Sequence, residues 1–225
     1  NPSSQPGDGC SCRSRRAARR RTELDMKAIE TIQGKMMPLP RAHIDTDQII
    51  PKQFLKRVER HGYGPFLFYD WRFDNEDEPI ENFVLNRMEY ADSKVLVTGP
   101  NFGIGSSREH AAWSIEDWGF EAVISAAFGD IFYNNSINIG LLPVILYKEE
   151  VNVLLEKAKD PNNEIAINLL GQTVKSGNFA ASFKIDAHIK ERLLAGLDNI
   201  GETLVHEKAI SKFESARPSY KPTVS

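Results

Sequence analysis

Cysteine is all but missing from this chain: of 225 residues only Cys10 and Cys12 are cysteine, and none follows them. A domain stapled by disulfides is thereby excluded, and a reducing compartment, the cytoplasm, is the expected location. The same scarcity means that residues 26–225 cannot themselves ligate an iron–sulfur cluster, because cysteine thiolates hold such clusters. The five histidines (43, 61, 110, 188 and 206) are scattered and outline no metal site. No apolar run approaches the roughly 20 residues that span a bilayer, so no membrane segment is expected. The Gly-Lys-Ser/Thr of a phosphate loop and the Gly-x-Ser-x-Gly of a serine hydrolase are both absent. Positive charge is short as well. The formal net charge is -3, and residues 1–25 carry six Arg against three acids, which leaves -6 on the remainder. That acidity argues against a nucleic-acid binder.

What is present reads as one globular domain with ordinary apolar and charged fractions. Residues 1–25 are Ser-, Gly- and Arg-rich with little to bury, so disorder is expected. We read them as an extension foreign to the natural chain, with Met26 as the natural start. A transit peptide or a nucleic-acid arm are the alternatives. The domain is expected over 26–217, and 218–225 reads as tail.

Within the domain, 27–37 reads as a strand and Pro38-Leu39-Pro40-Arg41 as a turn. Asp45-Thr46-Asp47 follows. Its paired carboxylates suit an Asx-turn or helix cap better than a hard metal site, which would need more ligands. Residues 60–86 are rich in aromatics (Tyr63, Phe66, Phe68, Tyr69, Trp71, Phe73) and acids (Asp70, Asp74, Glu76, Asp77, Glu78) and are broken by Gly and Pro, which predicts an irregular excursion. Its aromatics either bury themselves or face a partner chain. From 94 to 147 strands and helices alternate: strands at 122–125 and 141–146, and a short helix at 131–137. This order predicts parallel strands with crossover helices. An amphipathic helix is expected over 148–159, paired strands at 165–169 and 181–185, and short helices at 188–194 and 202–215, with Gly196 and Gly201 as breakers.

The stretch with most chemistry in it is Val95-Leu96-Val97-Thr98-Gly99-Pro100-Asn101-Phe102-Gly103-Ile104-Gly105-Ser106-Ser107-Arg108-Glu109-His110. A Val-rich run reads as a buried strand and 108–118 as a helix, with Ala111, Ile115 and Trp118 on one face and Gly119 at its end. Ser106 and Ser107 thus stand at a strand-to-helix junction, where free N–H groups and the helix dipole suit an anion. Capping competes with chemistry here, since Ser106 and Glu109 have the spacing of a capping box. For His110, a general acid and a locally packed helix residue are both open readings.

Gly105-Ser106-Ser107-Arg108-Glu109-His110-Ala111 resembles the signature loop of the aconitase superfamily's swivelling domain. Two more blocks narrow the likeness: Asp45-Thr46-Asp47-Gln48-Ile49-Ile50-Pro51-Lys52-Gln53-Phe54-Leu55 and Phe128-Gly129-Asp130-Ile131-Phe132-Tyr133-Asn134-Asn135-Ser136. In this order they are similar to the small-subunit family of 3-isopropylmalate dehydratase, over about residues 26–217. His43 stands where that family more usually has Asn. The resemblance implies an α/β fold: a three-layer swivelling β/β/α domain with a partly parallel sheet and a Gly-rich strand-to-helix loop. It implies a hydro-lyase of leucine biosynthesis that isomerises a small hydroxy-acid by dehydration and rehydration, working only with a large subunit, as a heterodimer or higher assembly. The large subunit would carry a 4Fe–4S cluster, and this chain would hold no cofactor. By motif position Ser106 would be the proton-abstracting base, Arg108 and Ser107 substrate-binding residues, and Lys56 and Arg57 substrate contacts on a neighbouring loop. Gly103 and Gly105 would let backbone approach the substrate. The alternatives are a homoaconitate- or citraconate-type small subunit, or a non-catalytic anion-binding module.

Overall fold

The computed structural model describes residues 26–56 and 60–217, without the Asn199 side chain. The readings of 1–25 and 218–225, and that of Arg57, lie outside the described residues. One seven-stranded sheet organises the rest. Its strands are β1 (Thr31–Leu39), β3 (Ser93–Thr98), β5 (Ala122–Ser125), β6 (Leu142–Ile145), β7 (Glu164–Asn168), β8 (Thr173–Ser176) and β9 (Phe179–Ser182), in the order β6-β5-β3-β1-β7-β8-β9. The first four are mutually parallel, and β7, β8 and β9 continue antiparallel from β1. A parallel pair, β2 (Ile44–Asp45) and β4 (Phe102–Ile104), lies apart.

The parallel strands read as unbroken apolar runs because both faces of the sheet are covered. Successive side chains alternate between two cores. Val95, Val97, Ala122 and Ile124 point to one, and Leu96 and Val123 to the other. The first core is closed by α5 (Lys148–Ala158), through Val151, Leu154, Leu155 and Ala158, and by Leu193 of α6 (Ala187–Ala195). The second is closed by α3 (Glu109–Trp118), by Phe132 of α4 (Asp130–Ile139) and by the irregular excursion. Gly119 ends α3 and Gly140 ends α4, both in the left-handed conformation that glycine adopts without penalty.

The excursion holds isolated turns and one short helix, α2 (Tyr69–Arg72). Its aromatics mostly turn inward: Tyr63 and Phe68 are fully buried. It is pinned to α3 by Asp117, whose Oδ2 accepts from the backbone N–H of Gly62, Tyr63 and Gly64 at 2.6, 2.7 and 3.1 Å. Buried Arg72 pins it internally, donating from Nη1 to Pro65 O at 2.9 Å and from Nε to Asn86 Oδ1 at 3.0 Å, with its guanidinium 4.4 Å from the Trp118 ring.

Several local readings shift. The turn expected at Pro38 begins only after Leu39, because Pro38 pairs in register with Val97 inside β1. The two strands expected near Gly171 and Gly177 are three, with β8 between the glycines. Gly201 does not break a helix. It lies in the first turn of α7 (Asn199–Leu204), where its N–H donates to the capping carboxylate of Asp198 at 2.6 Å. A separate helix, α8 (Glu207–Ser215), follows and buries no residue.

Candidate active site

The site is built where the carboxyl end of β3 and the start of α3 meet the Asp45 block. Such ends of parallel strands leave a crevice in which the loops are free to carry chemistry. Asp45 caps the one-turn helix α1 (Thr46–Ile49): its Oδ1 accepts from Asp47 N at 2.8 Å, while Gln48 Oε1 accepts from Asp45 N at 3.0 Å. The cap reading of this block therefore holds for Asp45. Asp47 does something else. Its Oδ1 accepts from Arg108 Nη1 across 61 residues of sequence, and its Oδ2 lies 3.7 Å from Lys52 Nζ. Thr46 Oγ1 donates to Ser106 O at 3.0 Å, so the same helix also fixes the serine loop.

Ser106 is not a helix cap. The residue that enters α3 is Arg108, with extended backbone and no capping hydrogen bond from its side chain, and the helix begins at Glu109. The capping-box reading of Ser106 and Glu109 is thus corrected. Both serines are exposed, and among the described residues neither hydroxyl has a hydrogen-bond partner. Arg108, in contrast, is only 10% exposed at its side chain. A guanidinium has five N–H donors, and only the bond from Nη1 to Asp47 is made among the described residues.

The glycines answer to the protein before any ligand. Gly105 has φ +93°, and a Cβ there would stand 2.1 Å from Asp45 Oδ2. Gly103 has φ +72°, and its Cβ would collide with Phe132. Two non-glycine residues near this loop also adopt the left-handed conformation. His43 has φ 56° and Asn101 φ 60°, positions that asparagine tolerates better than most residues. His43 takes its own partner, with Nδ1 3.0 Å from the Asn101 amide.

Lys56 ends a 3-10 turn over Lys52–Lys56 and is exposed, with no polar contact to Ser106 or Arg108 among the described residues. The turn itself is anchored: the Phe54 ring stacks on Phe66 with centroids 4.2 Å apart and meets Tyr69 at 4.8 Å. His110 packs between rings, 5.2 Å from Tyr63 and 4.7 Å from Trp113. Its pKa is lowered, chiefly by burial and further by Arg108, against an opposing pull from Glu109. This surrounding favours the packed role over the acid role. The sequence motif does not single out Asp47 and Lys52 as site residues; the signal available was that a cap needs one carboxylate, and the block has two.

Among the described residues no three His, Cys, Asp or Glu side chains are grouped to hold an ion. Residues 26–217 contain no cysteine, so their donor set does not fit an iron–sulfur cluster. No helix among the described residues is long and apolar enough to cross a membrane.

A glycine loop that feeds two serines and an arginine into a helix, beside a mixed sheet, is the arrangement that the resemblance to an aconitase-type swivelling domain implies. The family model of the aconitase C-terminal domain matches residues 26–149. More narrowly, the chain belongs to the family of 3-isopropylmalate dehydratase small subunits. It is 52% identical over 193 residues to the small subunit from Halalkalibacterium halodurans, covering 85% of this chain and 100% of that one. It is 50% identical over 198 residues to that from Caulobacter vibrioides, covering 88% and 98%. The crystal structure of 3-isopropylmalate dehydratase from Methanocaldococcus jannaschii superposes with a TM-score of 0.60 at 26% identity, covering 81% of this chain and 99% of that one.

Proposed function

We propose that this chain is the small subunit of a two-subunit hydro-lyase of leucine biosynthesis that interconverts 2-isopropylmalate and 3-isopropylmalate. It acts in the cytoplasm, in a site shared with a large subunit. A 4Fe–4S cluster held by that large subunit would supply Lewis-acid chemistry, since residues 26–217 have no cysteine to hold one. What this chain brings is proton handling and charge.

Ser106 takes the proton from the carbon next to a substrate carboxylate and returns it on rehydration. A serine hydroxyl is a poor base at neutral pH, so its anion needs fixed positive potential around it. The start of α3, the loop N–H groups and Arg108 are groups of that kind. Arg108 takes the carboxylate, because its planar fork matches two oxygens at once. Ser107 adds hydrogen bonds nearby, and Lys56 and Arg57 contact the substrate from the neighbouring loop. The observation that carries this reading is the pair of exposed, uncapped hydroxyls of Ser106 and Ser107 directly beside a sequestered Arg108.

The test is reconstitution with the large subunit under anaerobic conditions. Ser106→Ala is expected to cut turnover by about 10²–10⁴-fold, the range for loss of a general base, and to leave subunit association intact. Full activity of that variant rejects the assignment of Ser106. Turnover of homoaconitate in preference to isopropylmalate would move the chain to the neighbouring hydro-lyase, and no turnover of either would leave an anion-binding module.

A further inference from the structure

Asp47 is shared by two cations of opposite character. Its Oδ1 holds Arg108, sequestered at 10% side-chain exposure, and its Oδ2 faces Lys52, at 74% exposure. Among the described residues Asp47 is the one carboxylate that both cations contact, because Asp45, whose carboxylate also lies against the Ser106 loop, is engaged in capping α1. The backbone of Lys52 is fixed: Pro51 before it is buried, and Phe54 two residues on is stacked between Phe66 and Tyr69. Its ammonium is not fixed. An exposed pair at 3.7 Å is weak and exchanges readily for another carboxylate. Lys56, at the other end of the same turn, shares no carboxylate with Arg108 among the described residues.

We infer that Lys52 is a second carboxylate-binding residue. It takes the carboxylate of a dicarboxylate substrate that Arg108 does not hold, with Asp47 keeping the two cations one carboxylate's width apart. The inference rests on the function proposed above, since isopropylmalate carries two carboxylates on a four-carbon chain. A compact ammonium with three donors suits a carboxylate that arrives in variable orientation, as guanidinium suits the one that must be aligned. Selection for two carboxylates follows: a monocarboxylate of the same length would leave Lys52 with Asp47 and gain nothing from it.

The experiment uses the full chain reconstituted with the large subunit. It compares wild type, Lys52→Gln and Lys52→Arg for 3-isopropylmalate kinetics, and for inhibition by succinate and by butyrate. Lys52→Gln is expected to raise KM about tenfold with kcat within about threefold, the signature of lost ground-state and transition-state binding alike. Succinate inhibition should weaken by about the same factor, butyrate inhibition should not move, and Lys52→Arg should restore both KM and succinate inhibition. Unchanged KM and unchanged succinate inhibition in Lys52→Gln overturn the inference. So does equal weakening of both inhibitors, which would mean that Lys52 acts only by holding Asp47. If Lys52→Gln does not associate with the large subunit, Lys52→Arg decides, and a tenfold KM increase there counts against the inference. Absence of isopropylmalate turnover by the wild-type pair is a separate result, and it removes the proposed function together with this inference.

Discussion

At the scale of single residues, the site depends on backbone conformations that few side chains allow. Gly105 is the sharpest case, with a positive φ and the Asp45 carboxylate where a Cβ would go. Gly105→Ala is expected to destabilise the chain by about 1–3 kcal/mol, the cost of a side chain forced into such backbone. It should also reduce activity more than this loss explains, since the Asp45 cap and the Ser106 loop must both move. Thermal melting and reconstituted turnover, measured on one preparation, check the two parts. The residues proposed for the chemistry stand out in the sequence because Ser106, Ser107 and Arg108 lie together in one motif. Asp47 and Lys52 do not, because their meaning depends on a fold that brings position 47 against position 108. Arg57 lies outside the described residues and keeps only its motif assignment.

At the scale of elements, β5 and α5 follow from sequence almost to the residue, since a buried parallel strand and an amphipathic helix each impose a strong pattern. The C-terminal strands fit less well. In β8 only Val174 is apolar, and β9 is an edge strand with half-buried and exposed positions, so neither carries a pattern that separates it from loop. The excursion shows the same contrast: its irregularity is written in Gly and Pro, whereas its attachment is not. That attachment runs largely through Asp117, which gathers three backbone N–H groups from 62–64. Asp117→Ala leaves those donors without their acceptor and is expected to cost about 1–3 kcal/mol, or several degrees in Tm for a domain of this size. Asp117→Asn, which keeps one acceptor oxygen, should recover part of the loss. A melting curve that does not change in Asp117→Ala would show that the excursion is held elsewhere.

At the scale of the whole molecule, stability is concentrated in the sheet and its two covering layers. Helix α8 contributes nothing buried, whereas α6 closes one core with Leu193. Removal of 207–217 is therefore expected to shift Tm by no more than about 2 °C, as for a segment with few buried contacts. Removal from 187 onward should unfold the domain. Chemical denaturation of the two truncations separates these outcomes.

The bare hydroxyls of Ser106 and Ser107 have one more consequence. A side chain bathed in bulk water keeps the sluggish reactivity of an ordinary alcohol, since solvent blunts any nearby charge that would sharpen it. With Ser106 as the base, a shutter must close over the loop before proton abstraction begins, and the face of the other subunit is the surface that can supply it. On the function proposed above, the isolated chain holds its hydroxyl in unreactive form and docking to the large subunit activates it.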